Sequence, residues 1–301
     1  MLKKILDNPG IIIAHIMMSP IGKIFSDRTY LKILYRAYTR KKLHLNNPVC
    51  YTEKLQWLKL HNTSDLCTTM VDKYGVREFV KKTIGEEYLI PLLGVWSHFD
   101  EIDFNSLPEK FVLKCTHDSG SVVICRDKAV LDKKKAKEKL EKGLKRNYYW
   151  RGREYPYKNV PPRIIAEQYT VDDNDELNDY KFFCFDGEPQ MLFYASERFA
   201  KEKGGVKFDY YDMNLRHLDI QSYGNLNAKP ENYLKPFPEF EKMKELAKVL
   251  STGFAHVRVD LYLVKGRIYF GEMTFHHDGG FVPFIPEKWD KILGDYINLK
   301  F

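Results

Sequence analysis

The chain lacks any CxxC spacing; its five cysteines (Cys50, Cys67, Cys115, Cys125 and Cys184) are scattered and odd in number. That argues against a zinc ribbon and against a disulfide framework, and it makes a reducing cytoplasm the expected home. Long apolar runs are missing too. IIIAHIMM (11–18) contains His15 and soon meets Pro20, well short of the roughly 20 apolar residues a spanning helix needs. MLKKILDNPG lacks the order and cleavage site of a secretory signal. A short buried helix is therefore expected at 11–18, with a shallow membrane-surface contact as the alternative. There is no internal repeat, no low-complexity linker and no convincing Ser/His/Asp or Cys/His triad. The most basic stretch, DKKKAKEKLEKGLKR (132–146), has no interleaved aromatics. It reads as a solvated helix with Glu/Lys pairs rather than a nucleic-acid surface.

What is present is a chain of 301 residues, 44% hydrophobic, with a net charge of +7. That suits a globular protein with an anionic partner. Residues 1–65 read as helical: TYLKILYRAYTRKKL carries apolar residues at helical spacing, and Thr52 is the expected N-cap of TEKLQWLKLH. The stretch 65–84, DLCTTMVDKYGVREFVKKTI, is expected to continue as helix. From YLIPLLGVW onward the pattern changes to short strands, expected at 111–116, 121–126, 163–169, 180–186, 189–197, 256–264 and 267–275. Helices are expected between them at about 130–146 and 238–252. Hairpins mixed with helices indicate an α+β fold with antiparallel sheets.

Three stretches carry chemistry. In FVLKCTHDSGSVVI (111–124) a strand ends in Lys114 and a small polar loop follows. Ser and Gly there let backbone N–H groups approach phosphate oxygens, although such loops also join ordinary hairpins. In the second stretch Asp186-Gly187 is a two-residue hairpin signal. It puts Asp179 and Lys181 on one face of the hairpin and Tyr180, Phe182 and Cys184 on the other, while Glu167 ends a separate apolar strand. The nearby DDND (172–175) reads as an acidic surface loop rather than the metal motif of a nucleotide-sugar glycosyltransferase.

The third stretch is HVRVDLYLVKGRIYFGEMTF, followed by HHDGG. A turn at Val264-Lys265-Gly266 is expected to pair Asp260 with Phe270 and Arg258 with Glu272. That register gathers Arg258, Asp260, Glu272 and Thr274 on one face, whereas a strictly two-residue turn would split the two acids. Two carboxylates and a hydroxyl suit Mg²⁺, a hard cation that takes oxygen ligands. A cross-strand Arg258/Glu272 ion pair is the competing reading. His276 and His277 lack zinc-type spacing; with Asp278 and the Gly279-Gly280 pair they are candidate substrate contacts.

Taken in order, YTEKLQWLKL, DKYGVREFV, EEYLIPLLGVW, LPEKFVLKCTHDSGS, RIIAEQY, DYKFFCFDGEP and YFGEMTF resemble the TupA-like (teichuronopeptide biosynthesis) ATP-grasp family. The resemblance spans about residues 48–285. It implies two α+β subdomains with antiparallel sheets clamping ATP, preceded by a helical segment. The expected division is 1–65 helical and 66–301 ATP-grasp, with a central lid subdomain at about 110–166 and a metal-binding subdomain at about 167–301.

The resemblance also implies site roles. Lys73 and Lys114 contact ATP phosphates beneath a flexible lid of His117, Ser119, Gly120 and Ser121. Glu167 lies by adenine and ribose, with Asp179 and Lys181 lining the cleft. Asp260, Glu272 and Thr274 hold Mg²⁺, and Arg258 acts with Lys114 on the transferring phosphoryl group. Thr274 stands where ATP-grasp ligases commonly place Asn, and the usual N-terminal α/β domain is replaced by about 65 helical residues. The implied activity is ATP-dependent carboxylate–amine ligation through an acyl phosphate, in biosynthesis of a bacterial surface polysaccharide or teichuronopeptide-type polymer. Its partners are an acidic sugar or polymer and an amino acid or amine, with peripheral association at the inner face of the membrane. A capsular glycosyltransferase and a non-catalytic nucleotide-binding scaffold are the alternatives.

Overall fold

The computed structural model describes residues 10–171, 177–196, 206–222 and 226–299; DDND (172–175) lies outside them. In chain order the helices are α1 (Gly10–Met17), α2 (Asp27–Thr39), α3 (Tyr51–His61), α4 (Asp65–Val71), α5 (Val76–Thr83), α6 (Lys133–Leu144), α7 (Tyr149–Gly152), α8 (Phe240–Ser251) and α9 (Lys288–Asp295). The strands are β1 (Leu92–Trp96), β2 (Phe111–Cys115), β3 (Val122–Cys125), β4 (Ile164–Gln168), β5 (Asp179–Phe185) and β6 (Glu188–Ser196). They continue with β7 (Lys207–Tyr211), β8 (Gln221–Ser222), β9 (His256–Val264), β10 (Arg267–Thr274) and β11 (Phe284–Ile285). Sequence expectation had not placed β1, β7, β8, β11, α7 or α9. Strands β8 and β11 are two residues each, too short to show a period.

Two antiparallel sheets carry the fold: β1-β4-β2-β3, and β10-β9-β5-β6-β7. One face of the four-stranded sheet packs Phe111, Leu113, Ile164 and Ala166 against Ala136 and Leu140 of α6. Its other face carries Val112, Lys114, Ile165 and Glu167. The five-stranded sheet is covered on both sides. Val257, Val259, Leu261, Tyr180 and Phe182 meet α8 and α4 on one face. Phe183, Phe185, Met191 and Phe193 meet α2 and α3 on the other, through Tyr30, Leu34, Tyr51 and Leu55. Each fully buried side chain of this size contributes roughly 1.5–3 kcal/mol. The helical cover stops short of the β5-β9-β10 corner, and there the sheet turns polar.

Several local expectations change. The helix expected at 11–18 is present, but Ile12, Ile13 and Ile16 are about half exposed, and only Ala14 and Met17 of α1 are buried. No described helix is long and apolar enough to cross a membrane. The N-cap of α3 is Cys50, not Thr52. Thr52 instead gives its N–H and hydroxyl to Asp290 of α9 at 2.9 and 2.8 Å. The expected helix 65–84 breaks into α4 and α5, because Asp72 accepts the Tyr74 N–H at 3.1 Å and bends the chain. That break puts Lys73 on a turn at the cleft.

The β9-β10 turn is also corrected. Val264 pairs with Arg267 around a two-residue Lys265-Gly266 turn, both residues in the left-handed region (φ 50° and 74°). A strict ladder would then set Gly271 opposite Asp260 and send Glu272 to the other face. A bulge between Phe270 and Glu272 absorbs one residue, so Asp260 pairs with Glu272 and Arg258 with Thr274. The acids share a face, as expected, but for a different reason. The bulge residue is Gly271, where a Cβ would meet the Asp260 carbonyl and the Tyr262 ring at 3.0 Å.

Candidate active site

Three adjacent strands build a lateral charged row. Lys181 of β5 lies opposite Asp260 of β9, which lies opposite Glu272 of β10. Asp260 is fully buried. Arg258, two residues back on the same strand, grips it with Nε and Nη2 at 2.7 and 2.8 Å. Lys181 Nζ donates to the same carboxylate and sits 3.3 Å from Asp179. The fork of Arg258 also reaches Thr274 Oγ1 at 3.1 Å and Glu272 Oε1 at 3.3 Å. Burial alone would push the Glu272 carboxyl up. Lys73, Lys181, Arg258 and Lys114 together outweigh that and hold it at about 2. Two of these lysines, Lys73 and Lys114, belong to the opposite wall of the cavity that Glu272 lines.

That wall is the four-stranded sheet and the turn at Lys73. Lys114 Nζ pairs with Glu167 at 2.6 Å, and Arg77 Nη1 reaches the other oxygen at 3.3 Å. Lys73 Nζ donates to the Asp118 carbonyl at 2.7 Å, tying it to the 117–121 loop. A cavity of about 440 Å³ lies between the walls; Lys73, Lys114, Glu167, Asp179, Lys181 and Glu272 line it, with Ser119 and Gly120 at its mouth. Gly120 has φ +97° and open space around its Cβ position, so its backbone angle, not crowding, calls for glycine.

Some predicted site residues sit elsewhere. His117 is buried, with Nε2 3.1 Å from the carbonyls of Gly143 and Arg146. It caps the end of α6 and lines neither cavity. Ser121 is buried and gives its hydroxyl to Asp118 Oδ2 at 2.6 Å. Asp260 also lines neither cavity, because Arg258 and Lys181 cover it. His277 accepts from Arg258 Nη1 at Nδ1, 2.7 Å away, and burial lowers its pKa to about 4. It is a neutral prop for the arginine.

Beyond Glu272 lies a second cavity of about 350 Å³. Ser119 and Glu272 line both spaces, whereas Arg258, Thr274, His276 and Asp278 line only the second. Sequence reasoning missed Arg77, Asp118, Arg151 and Glu154. Arg77 follows Lys73 by four residues in a predicted helix, which was the available signal. Arg151 lies in the four-residue α7 and Glu154 just beyond its left-handed cap, a stretch too short to show a period.

The oxygen donors fit a hard divalent cation in part. Among the described residues no three His, Cys, Asp or Glu side chains converge as a metal cage. Glu272 and Thr274 line the second cavity with Asp260 behind them, and although Arg258 touches both, this oxygen set suits Mg²⁺, an ion that keeps water and phosphate ligands.

A family model described as TupA-like ATPgrasp matches residues 53–298. Solved structures similar to the chain include D-alanine–D-alanine ligase from Bacillus anthracis complexed with ATP, at 15% identity and TM-score 0.40, over 69% of this chain and 55% of that one. Phosphoribosylamine–glycine ligase from Thermotoga maritima gives 14% and 0.37, over 70% and 48%. A D-cycloserine synthetase gives 15% and 0.41, over 82% and 79%. The chain thus spans about half the length of the first two. No curated protein matches it.

Proposed function

The chain belongs to the TupA-like ATP-grasp family, matched over residues 53–298, and from that premise we propose an ATP- and Mg²⁺-dependent ligase joining a carboxylate to an amine. The observation that carries the reading is one cavity lined by Lys73, Lys114, Lys181 and Glu272, with Arg258 3.3 Å from Glu272. Such a set suits a polyphosphate and a transferring phosphoryl group, since charge is neutralised by groups already in place. Lys73 and Lys114 would hold phosphate oxygens, and Glu167, Asp179 and Lys181 would line the nucleotide. Glu272 and Thr274, backed by Asp260, would hold Mg²⁺. When bound, that ion neutralises charge on the phosphates.

The reaction needs no side-chain nucleophile. The substrate carboxylate attacks the γ-phosphorus and ADP leaves with the bridging electron pair. The amine then attacks the acyl carbon, phosphate leaves with the C–O pair, and the nitrogen gives up its proton. Positioning supplies much of the rate. We extend the proposal to an acidic surface polymer as the setting, with an acidic sugar as the carboxylate partner; the net charge of +7 supports an anionic partner.

The test is ADP release by purified protein given ATP, Mg²⁺, amino acids and uronic acids. Lys114→Ala and Glu272→Ala should each weaken ATP binding or turnover at least tenfold, the loss of one charge-assisted contact. Unchanged nucleotide binding in both variants would sink the site assignment. Thermal stabilisation by UDP-sugars but not by ATP would point to a glycosyltransferase.

A further inference from the structure

The second cavity has an unusual charge inventory. Arg151 at its rim has no carboxylate partner among the described residues; its guanidinium leans on the Tyr148 ring, 5.8 Å from the centroid. Glu154, three residues on, is buried. Its only ion-pair partner among the described residues is His276, whose Nδ1 stands 3.5 Å from Oε2 and makes no hydrogen bond of its own. Lys59 feels the charge of Glu154 but directs its ammonium to Gln56 and the Gly279 carbonyl. Glu154 is therefore a buried carboxylate that lines the cavity with no lysine or arginine in ion-pair contact among the described residues. Asp118, also lining the cavity, has a buried Oδ1 with no partner.

This arrangement is built by the fold. Arg153 sits in the left-handed region (φ 55°) and closes the turn that carries Arg151 and Glu154. Its guanidinium is clamped between the rings of Tyr30 and Trp150, 4.4 Å from each centroid, and donates to the Gly22 carbonyl at 2.8 Å. The Tyr30 hydroxyl donates to the carbonyls of Trp150 and Arg151 at 3.2 and 3.0 Å. The N-terminal helices therefore set the turn, and they add Met18 and Tyr38 to the cavity wall. At about 350 Å³ the space is near the lower end for a small-molecule pocket, roughly 300–1,000 Å³.

We propose that this cavity is the amine-donor site and takes a free amino acid, its carboxylate on Arg151 and its ammonium on Glu154 beside His276. An arginine with no carboxylate partner and a buried carboxylate with no lysine or arginine partner among the described residues, three residues apart in one small cavity, complement a zwitterion. A uronic acid would satisfy Arg151 but bring no cation to Glu154. The assignment rests on the ligase reading and deepens it: the helical segment takes over part of the substrate site, and Glu272 marks the junction with the nucleotide cleft.

The experiment is calorimetric titration of the full chain, held with Mg²⁺ and a non-hydrolysable ATP analogue. The probes are single amino acids, their N-acetyl and carboxamide derivatives, and glucuronate. An amino acid should bind, and each derivative should bind about 10- to 100-fold more weakly, the loss of one charge-assisted hydrogen bond. Glu154→Gln should weaken the amino acid by a similar factor while leaving the N-acetyl derivative unchanged. Arg151→Ala should do the converse with the carboxamide. These analogue-by-variant pairings separate contact from mere structural support. Equal binding of the N-acetyl form, an unaffected Glu154→Gln, or binding of glucuronate with no amino acid would each overturn the proposal. Failure of the wild-type protein to bind the nucleotide analogue would instead defeat the ligase reading itself.

Discussion

The two cavities that meet at Glu272 come from different kinds of chain. The larger is lined chiefly from strand faces: Lys114 and Glu167 on one sheet, Asp179, Lys181 and Glu272 on the other. The smaller is lined from helix ends, a left-handed turn and an exit loop: Met18, Tyr38, Arg151, Glu154, His276 and Phe281. In the first, Glu167 on the wall is gripped by Lys114 and Arg77, and Asp260, covered behind it, by Arg258 and Lys181. In the second, Arg151 and Glu154 share a wall without pairing with each other. On the reading proposed above, the larger cleft carries its own counter-charges for a polyphosphate, while the smaller pocket leaves Arg151 and Glu154 for a zwitterion.

The sharpest way to break this comparison is Asp260→Ala. Arg258 would then be buried with its main partner gone, and Lys181 would lose the shared carboxylate. Leaving such a charge unanswered costs about 3–5 kcal/mol, to be read from chemical denaturation. A loss below about 1 kcal/mol, the range of a solvent-exposed pair, would mean the row is not pre-paired.

Lys59 probes the scaffold of the second cavity. It is buried in α3 and gives its ammonium to the Gly279 carbonyl at 2.6 Å, supporting the exit loop. Burial lowers its pKa from 10.5 to about 7. Between those values the unfolded chain keeps a proton that the native state has lost, so stability rises with pH through this window and is flat below it for this group. From pH 7 to 9 the rise is on the order of 2 kcal/mol by that linkage. Lys59→Met should remove it, visible as a flatter profile of unfolding free energy against pH than that of the wild-type protein. Parallel profiles would place the titration elsewhere.

The smallest expected effect is at Gly271. A methyl group there presses on the Asp260 carbonyl and the Tyr262 ring, so Gly271→Ala should cost about 1–2 kcal/mol by overpacking. It should also weaken nucleotide binding by moving Glu272 against Asp260. Thermal unfolding with and without ATP would check both, and an unchanged ATP-induced shift would mean the bulge tolerates the methyl.

Legibility followed periodicity. Strand alternation was enough to place Asp179 with Lys181, and Arg258 with Asp260, because the period of two leaves no choice of face. The register between β9 and β10 was not readable: a two-residue turn and a compensating bulge give the same facing as one longer turn. His117 went astray because a loop residue next to Ser119 and Gly120 has no period to show that its ring points at α6. Lys73 lines the larger cavity from a turn and not from the expected helix, since Asp72 breaks a helix whose apolar spacing continues beyond it.

Local sequence was therefore sufficient for the hairpins, the apolar faces and the order of the chemistry-bearing stretches, because those depend on neighbours two to four residues apart. Tertiary structure alone decided that Glu272 stands between two cavities, that Arg258 and Lys181 cover Asp260, and that Tyr30 and Gly22 hold the turn bearing Arg151 and Glu154. The contacts that hold that turn join residues more than a hundred positions apart. They form only when burying the N-terminal helices on the β5-β6 face offsets the entropy of ordering them.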